Sequence, residues 1–187
     1  MVTTQVRYKS NFMSTQSKKS AEVVVPRHDV EGRAKLINQR LDPQYIVGFV
    51  DGEGCFSVSH NKHSTLKFRM EIRPEFEIEL REDDAEILYR IQVTLGCGTV
   101  YRLEYKRYDW AAHYKFRVGR IKELQEIIVP FFEKYPLQAK KKEVFKYFKQ
   151  IVEMTYHKEH LTYAGAKKIL KIREKMRAYS KKHYKNR

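Results

Sequence analysis

The chain has 187 residues, the usual size of one domain with an extension. Hydrophobic residues make up 42% of it, enough for a packed core, and no run approaches the ~18 apolar residues of a membrane-spanning helix. Its 38 lysines and arginines outnumber the 23 acids, giving a formal charge of +15 that favours a polyanionic partner, nucleic acid before an anionic membrane.

Two cysteines, Cys55 and Cys97, are too few for the disulfide framework of a small secreted protein. No signal-peptide pattern is visible near the N-terminus. We therefore expect both thiols to be reduced and the protein to be intracellular, in a bacterial cytoplasm or an organelle (chloroplast or mitochondrion), not secreted.

Residues 1–40 are polar and rich in Ser and Lys, which predicts a flexible extension. A basic organellar transit segment or a nucleic-acid-binding arm are the alternatives. The folded domain is predicted over residues 41–187.

A helix is predicted to begin at Asp42–Pro43, an N-cap acceptor followed by proline in the first turn, and to run to about Gly52. Gly48 and Gly52 are four residues apart and so lie on one face of it. This small-residue stripe would let another helix backbone approach closely, as in membrane helix pairs. The same helix of a second copy is one candidate neighbour.

Two acids, Asp51 and Glu53, fall in the last turn of this helix. Unpaired carbonyls make that end negative, so the acids are unfavourable there unless a cation joins them. The alternative is a glycine-terminated helix whose acids are incidental surface residues. The residues alone leave both interpretations open.

Alternating patterns predict two strands next, about 55–61 and 66–80. The second has one apolar and one charged face, and Pro74 within it suggests an edge position or a bulge. Further strands are predicted at about 99–106 and 111–118 around a turn at Tyr108–Asp109, and helices from Arg81 to Gly96, at 119–134, from Leu137 and at about 166–182. The class is α+β (mixed α/β), with one antiparallel sheet covered on one face by helices.

Charge is concentrated in residues 134–187, which hold 17 lysines and arginines against 4 acids, a net +13. A solvated basic helix is the plain alternative. A polar strand face, however, can lie in a DNA major groove, where Arg and Lys read guanine and Glu accepts from cytosine. The predicted DNA-binding residues are Ser57, Ser59, Lys67, Arg69, Glu71, Arg73, Glu75, Glu77, His113, Lys115, Arg117 and Lys140.

The run IVGFVDGEG at 46–54 resembles the nine-residue signature of the LAGLIDADG homing endonucleases. Three further stretches are similar to later parts of that family, so that the resemblance covers about residues 41–182. They are FEIELREDDAEILYRIQVTLGCGTV at 76–100, PFFEKYPLQAKKKEVFKYFKQIVEM at 130–154 and HLTYAGAKKILKIREKM at 160–176.

The resemblance implies the αββαββα homing endonuclease fold, with a four-stranded antiparallel saddle sheet and extra C-terminal helices. It implies Glu53 as the metal-binding carboxylate, with the Gly52 carbonyl as a further ligand, for Mg²⁺ or, as a substitute, Mn²⁺. Asp51 would be structural, at the helix interface. Lys141 matches the catalytic lysine, and Lys140 is its neighbour if the register is off by one.

Two positions depart from the family or are ambiguous. Leu80 stands where some members carry a glutamine that positions water. Arg81 either serves near the phosphate or is a surface residue at a helix start.

A single signature implies half of an active-site pair, so we expect a C₂ homodimer, its interface including Gly48, Gly52, Val47 and Asp51. The resemblance implies a DNA endonuclease that makes a metal-dependent double-strand break in a long, near-palindromic duplex. An intron RNA maturase, with RNA as a partner, or a non-cleaving DNA-binding regulator on the same fold is the alternative.

Overall fold

A computed structural model describes residues 39–62, 70–104 and 111–184. The chain divides into two compact units: residues up to Asp42 together with Ile78–Arg117, and Pro43–Glu77 together with Val118–Arg187. The predictions for residues 1–38, Lys67, Arg69 and the Tyr108–Asp109 turn lie outside the described residues.

The described elements follow the predicted order. They are α1 (Pro43–Glu53), β1 (Gly54–Lys62), β2 (Met70–Arg81), a 3₁₀ turn (Glu82–Asp84), α2 (Ala85–Leu95), β3 (Thr99–Leu103), β4 (His113–Val118), α3 (Ile121–Glu123), a π-helical segment (Leu124–Ile128), α4 (Val129–Lys134), α5 (Lys141–Tyr156), a second 3₁₀ turn (Glu159–Leu161) and α6 (Tyr163–Tyr184). The strands form one sheet in the order β1-β2-β4-β3. The predicted mixed α/β class with a four-stranded antiparallel sheet is confirmed.

The position of Pro74 corrects one prediction. β2 lies between β1 and β4, so Pro74 is not on an edge strand. β2 has 12 residues and β4 only 6, and β4 meets the second half of β2, where Glu82 N–H donates to Ala112 O at 2.9 Å. Pro74 lies in the first half of β2, away from this hydrogen bond at the end of the strand.

The Pro43–Glu77 and Val118–Arg187 unit has an aromatic core. Phe56 of β1 lies 5.0 to 5.6 Å, between ring centroids, from four other phenylalanines, in stacked, tilted and edge-to-face arrangements. Those rings come from β2, α4 and α5 and belong to Phe76, Phe132, Phe145 and Phe148. This cluster fixes the start of β1, and therefore the end of α1, against the helices that follow.

The other unit is built around α2. Leu88, Tyr89 and Ile91 are buried, and the Tyr89 and Tyr114 rings lie 6.3 Å apart. Gly96 ends α2 in the left-handed conformation, φ 69°, and its N–H donates to Gln92 O at 2.8 Å. The predicted stop at the Gly-Cys-Gly sequence is thus confirmed by the backbone conformation that favours glycine.

The predicted helix at 119–134 is not α-helical throughout. Its middle, Leu124–Ile128, is π-helical. Pro130, two residues after this segment, has no N–H, so the carbonyl one turn before it loses its helical partner. A local widening of the helix accommodates such a loss, and it changes which side chains face inward: Leu124 and Ile128 are buried, whereas Ile121 and Ile127 are only half-buried.

The last helix begins earlier than predicted, because Thr162 caps it. Thr162 Oγ1 accepts from Gly165 N–H at 3.0 Å, and Lys158 in the preceding turn has φ 62°. A Cβ on Gly165 would overlap the Glu159 carbonyl oxygen.

Within the described residues, no helix is long and apolar enough to cross a membrane.

Replacing Gly165 tests this packing. Gly165→Ala raises helix propensity but places a methyl group against the Glu159 backbone, so we expect the free energy of unfolding to fall by roughly 1–3 kcal/mol. Urea unfolding measures it. Ala164→Gly, next to it on the exposed side of α6, is the control and should cost only about 0.5–1 kcal/mol. A Gly165→Ala chain as stable as the wild type would contradict the close approach.

Candidate active site

The helix α1 passes into β1 without a loop. Glu53 is the last residue of the helix and Gly54 the first of the strand. A Cβ on Gly54 would lie 2.6 Å from Val50 Cγ1 and 2.9 Å from Val50 O, which makes this junction too tight for a larger residue. The predicted sharp change from helix to strand is therefore possible because Gly54 has no side chain.

Asp51 binds the chain that leads into α5. Its Oδ2 accepts from the backbone N–H of Gln138 at 2.8 Å and of Ala139 at 3.1 Å. Carboxylates are favourable acceptors for such unpaired N–H groups at the start of a helix. This agrees with the structural role expected of Asp51, but its partners are backbone groups of its own chain. The other oxygen, Oδ1, is buried without a hydrogen-bond partner.

Lys141 makes the return contact. It is the first residue of α5, and its Nζ donates to Val50 O at 2.8 Å and to Gly52 O at 3.2 Å in the last turn of α1. Burial lowers the pKa of Lys141 below the ordinary lysine value, while the neighbouring Cys55, Asp51 and Glu53 oppose that shift. Lys140 is exposed, so Lys141 is the lysine that reaches the signature helix.

These two contacts form a reciprocal clamp: Asp51 accepts from the N–H groups before α5, and Lys141 donates to the carbonyls that end α1. The clamp shows how the negative end of α1 is compensated. A cation does join the negative helix end, and it is a lysine of the same chain.

Glu53, unlike Asp51, takes no part in the clamp. Its side chain is exposed and makes no hydrogen bond or ion pair with any described residue. Its carboxylate and the adjacent Gly52 carbonyl are hard oxygen donors of the kind that Mg²⁺ and Mn²⁺ prefer. No group of three or more His, Cys, Asp or Glu residues suited to a metal occurs in the described ranges. The donors of one chain therefore fit part of a hard-cation site and need further oxygen ligands from outside it.

The helix face predicted for self-association is partly available. Gly48 and Gly52 are exposed, and a Cβ added to either would have no other part of the described chain within 4 Å. Tyr45 on the same helix is 50% exposed. Val47 is only 2% exposed, in the core of its own unit, so its side chain is less available for an interface than Gly48, Gly52 and Tyr45, and its interface role stays a prediction. Helical spacing turns Val47 inward with Ile46 and Val50.

On β1 and the first part of β2, polar side chains alternate with buried ones, as expected. Ser57 and Ser59 of β1 are half-buried between the buried Phe56 and Val58. On β2, the polar residues lie between buried Ile72, Pro74 and Phe76. They are Glu71, Arg73, Glu75 and Glu77, and Arg73 pairs with Glu71 at 2.8 Å.

The other unit presents a second polar strand face. His113, Lys115 and Arg117 of β4 are half-buried and alternate with the buried residues of that strand. Glu79 of β2 pairs with both His113 and Lys115, a role that sequence reasoning missed, although the strand alternation places Glu79 on the polar face. In the same unit Leu80 is half-buried, and Arg81 pairs with Asp83 at 2.6 Å.

Lysines on α6 differ from those on the strands. Lys167, Lys168, Lys171 and Lys175 are exposed and make no ion pair with any residue in the described part of the chain. They are four of the 17 lysines and arginines in residues 134–187.

Comparison with known proteins gives consistent matches. The sequence profile of the LAGLIDADG endonuclease family matches residues 46–152. A probable intron-encoded endonuclease 2 of Neurospora crassa is 35% identical over 134 residues, 71% of this chain but only 28% of its own length. The chain thus spans under a third of the length of that curated relative.

Two solved structures are similar in fold and sequence. The crystal structure of the homing endonuclease I-TnaI is 35% identical, with a TM-score of 0.65 over 77% of this chain and 99% of that one. I-SmaMI, solved bound to an uncleaved DNA target in the presence of calcium ions, is 30% identical, with a TM-score of 0.67 over 72% of this chain and 44% of that one.

Asp51 and Glu53, the two acids in the last turn of α1, should differ in how much each contributes to stability. Asp51→Ala leaves two N–H groups without an acceptor, so we expect the free energy of unfolding to fall by roughly 0.5–2 kcal/mol in urea titrations. Glu53→Ala is the matched control and should stay within about 0.5 kcal/mol of the wild type. Equal losses for the two variants would contradict the division of roles.

Proposed function

This chain belongs to the LAGLIDADG endonuclease family, and on that premise we propose that it is a site-specific DNA endonuclease. It would bind a long, near-palindromic duplex as a homodimer and break both strands in a metal-dependent reaction. The observation that carries the proposal is the state of Glu53: an exposed carboxylate without a bond, beside a lysine fixed to the neighbouring carbonyls. A protein that only bound nucleic acid would not need this arrangement.

Glu53 and the Gly52 carbonyl are the residues that would hold the metal. Mg²⁺, with Mn²⁺ as a substitute, would stabilise charge on the scissile phosphate and lower the pKa of a bound water. Phosphate oxygens, water and the second subunit's equivalents would complete the oxygen set that one chain leaves incomplete. The fixed helix end keeps Glu53 in place before any ligand arrives.

Lys141 would act beside the phosphate. A lysine ammonium has three donors, and two of them are used on Val50 O and Gly52 O. The third is left to donate to a phosphoryl oxygen. A positive group fixed in this way needs no reorganisation when negative charge develops in the transition state.

DNA binding would divide between helices and strands. The exposed lysines of α6 suit phosphate contacts, which give affinity without sequence information. The polar strand faces, with Arg73 of β2 and Lys115 of β4 among them, suit contacts to base edges in the major groove. That I-SmaMI, a similar protein, was solved on a DNA target supports this proposal.

The count of signatures supports a homodimer. The sequence has one, and one chain contributes one signature carboxylate, Glu53, whereas a double-strand break needs chemistry on two strands. The exposed Gly48 and Gly52 leave room for a second α1 to pack closely. Such packing would bring two Glu53 residues near a common axis.

The setting would be a compartment that contains DNA inside the cell. The similar Neurospora protein is named as intron-encoded. Both Cys55 and Cys97 are free thiols. These features support a bacterial cytoplasm or an organelle, as the sequence predicted.

Removing the Glu53 charge tests the proposed chemistry. Glu53→Gln should lower the single-turnover rate of Mg²⁺-dependent cleavage of a selected DNA site by roughly 10²-fold or more, while DNA affinity without metal changes little. Glu153→Gln, an exposed acid on α5, is the control and should cleave normally. Near wild-type cleavage by Glu53→Gln would show that the assignment is wrong.

A bulky residue on the open face of α1 tests the homodimer. A Cβ at Gly48 would have no atom of the described residues within 4 Å, so the Gly48→Leu fold should persist while close helix packing is blocked. Sedimentation equilibrium should give a dimer for the wild type and a monomer for the variant. Ala178→Leu on the exposed side of α6 is the control and should remain dimeric. A Gly48→Leu chain with the mass of a dimer would place the interface elsewhere.

A further inference from the structure

One carboxylate on the polar strand face contacts two basic side chains, a histidine and a lysine. Glu79 of β2 lies with Oε1 3.2 Å from His113 Nδ1 and with Oε2 3.0 Å from Lys115 Nζ, both on β4. The three side chains are only 20% to 29% exposed, so the ion pairs are partly shielded from water. We refer to Glu79, His113 and Lys115 as the Glu79 cluster.

Strand alternation places the cluster on the side away from the core. Ile78 of β2 and Tyr114 and Phe116 of β4 are all buried, so the residues between them point the other way. The cluster therefore lies on the polar face of β2 and β4.

A phosphate is a poor ligand for this cluster. If Lys115 turned to a phosphate, the Glu79 carboxylate would lie beside a like charge. The exposed lysines of α6 have no such acid attached and bind phosphate without this cost. The cluster is suited instead to a surface that offers an acceptor and a donor side by side.

A G·C base pair offers that arrangement in the major groove. Guanine presents the acceptors N7 and O6, and cytosine presents the N4 donor. Guanine O6 and cytosine N4 are hydrogen-bonded to each other, so they lie roughly 2.9 Å apart. That separation matches the 3.0 Å between Lys115 Nζ and Glu79 Oε2. An A·T pair places its one donor between two acceptors, which would repel the carboxylate.

We propose that Glu79 and Lys115 form a specificity-determining pair that reads one G·C base pair in each half-site, Lys115 donating to guanine and Glu79 accepting from cytosine N4. His113 positions Glu79 by holding its other oxygen. The inference rests on the proposed DNA-binding function. A purely structural ion pair joining β2 and β4 would leave base preference untouched when broken.

Sequence selection in EDTA tests the pair without cleavage. The full chain is bound to a pool of random-sequence duplexes, and enriched sequences are compared for the wild type, Glu79→Met and Lys115→Met. Each variant should lose the preference for G·C at the same position of the half-site, by roughly 5- to 150-fold in relative affinity, with other positions unchanged.

Glu174→Met is the matched control, because Glu174 also pairs with two cations, Arg173 and Arg177, but on the exposed surface of α6. It should tighten binding to random duplexes without changing base preference. Unchanged preference in Glu79→Met and Lys115→Met, relaxation at two different positions, or an A·T preference at the shared one would overturn the inference alone. A wild-type chain that enriches no sequence would overturn the proposed function and the inference with it.

Discussion

The negative end of α1 is the constraint on which the site depends. A helix terminus with unpaired carbonyls and two acids is unstable by itself, and here it is compensated from α5 by the Lys141 ammonium. The exchange is mutual, since Asp51 satisfies N–H groups that would otherwise lack partners where α5 begins. Because Lys141 and Asp51 stabilise the end of α1, the Glu53 side chain is not needed to hold that end in place. A carboxylate can remain bare and exposed at a helix end only when something else neutralises that end.

The same clamp links chemistry to packing. The Phe56 cluster fixes β1 against α4 and α5, and Gly54 joins β1 to α1 with no intervening residue. A shift of α5 would therefore move Lys141 relative to the Gly52 carbonyl. Placing reactive groups on helices and strands held by an aromatic core limits such shifts more than a loop would.

Positive charge is used in two different ways. On α6, exposed lysines without acid partners provide a general attraction for polyanions. On the strands, cations such as Arg73 and Lys115 are paired with acids, so their charge is available only where a ligand also satisfies the carboxylate. The net charge of +15 does not reveal this distinction, because it counts both classes alike. In the proposed function, specificity and affinity therefore come from different elements of one chain.

The sequence by itself determined the local structure and the signature. Asp42–Pro43, the alternating strands and the Gly96 stop act over a few residues, so their patterns predicted α1, the four strands and α2. Tertiary structure decided the rest. Only the fold brings Lys141 to Val50, 91 residues away, and assigns Asp51 to the clamp while Glu53 stays free. It also turned Val47 into the core and placed Pro74 on an inner strand, because burial and strand order depend on what packs alongside, which no local pattern records.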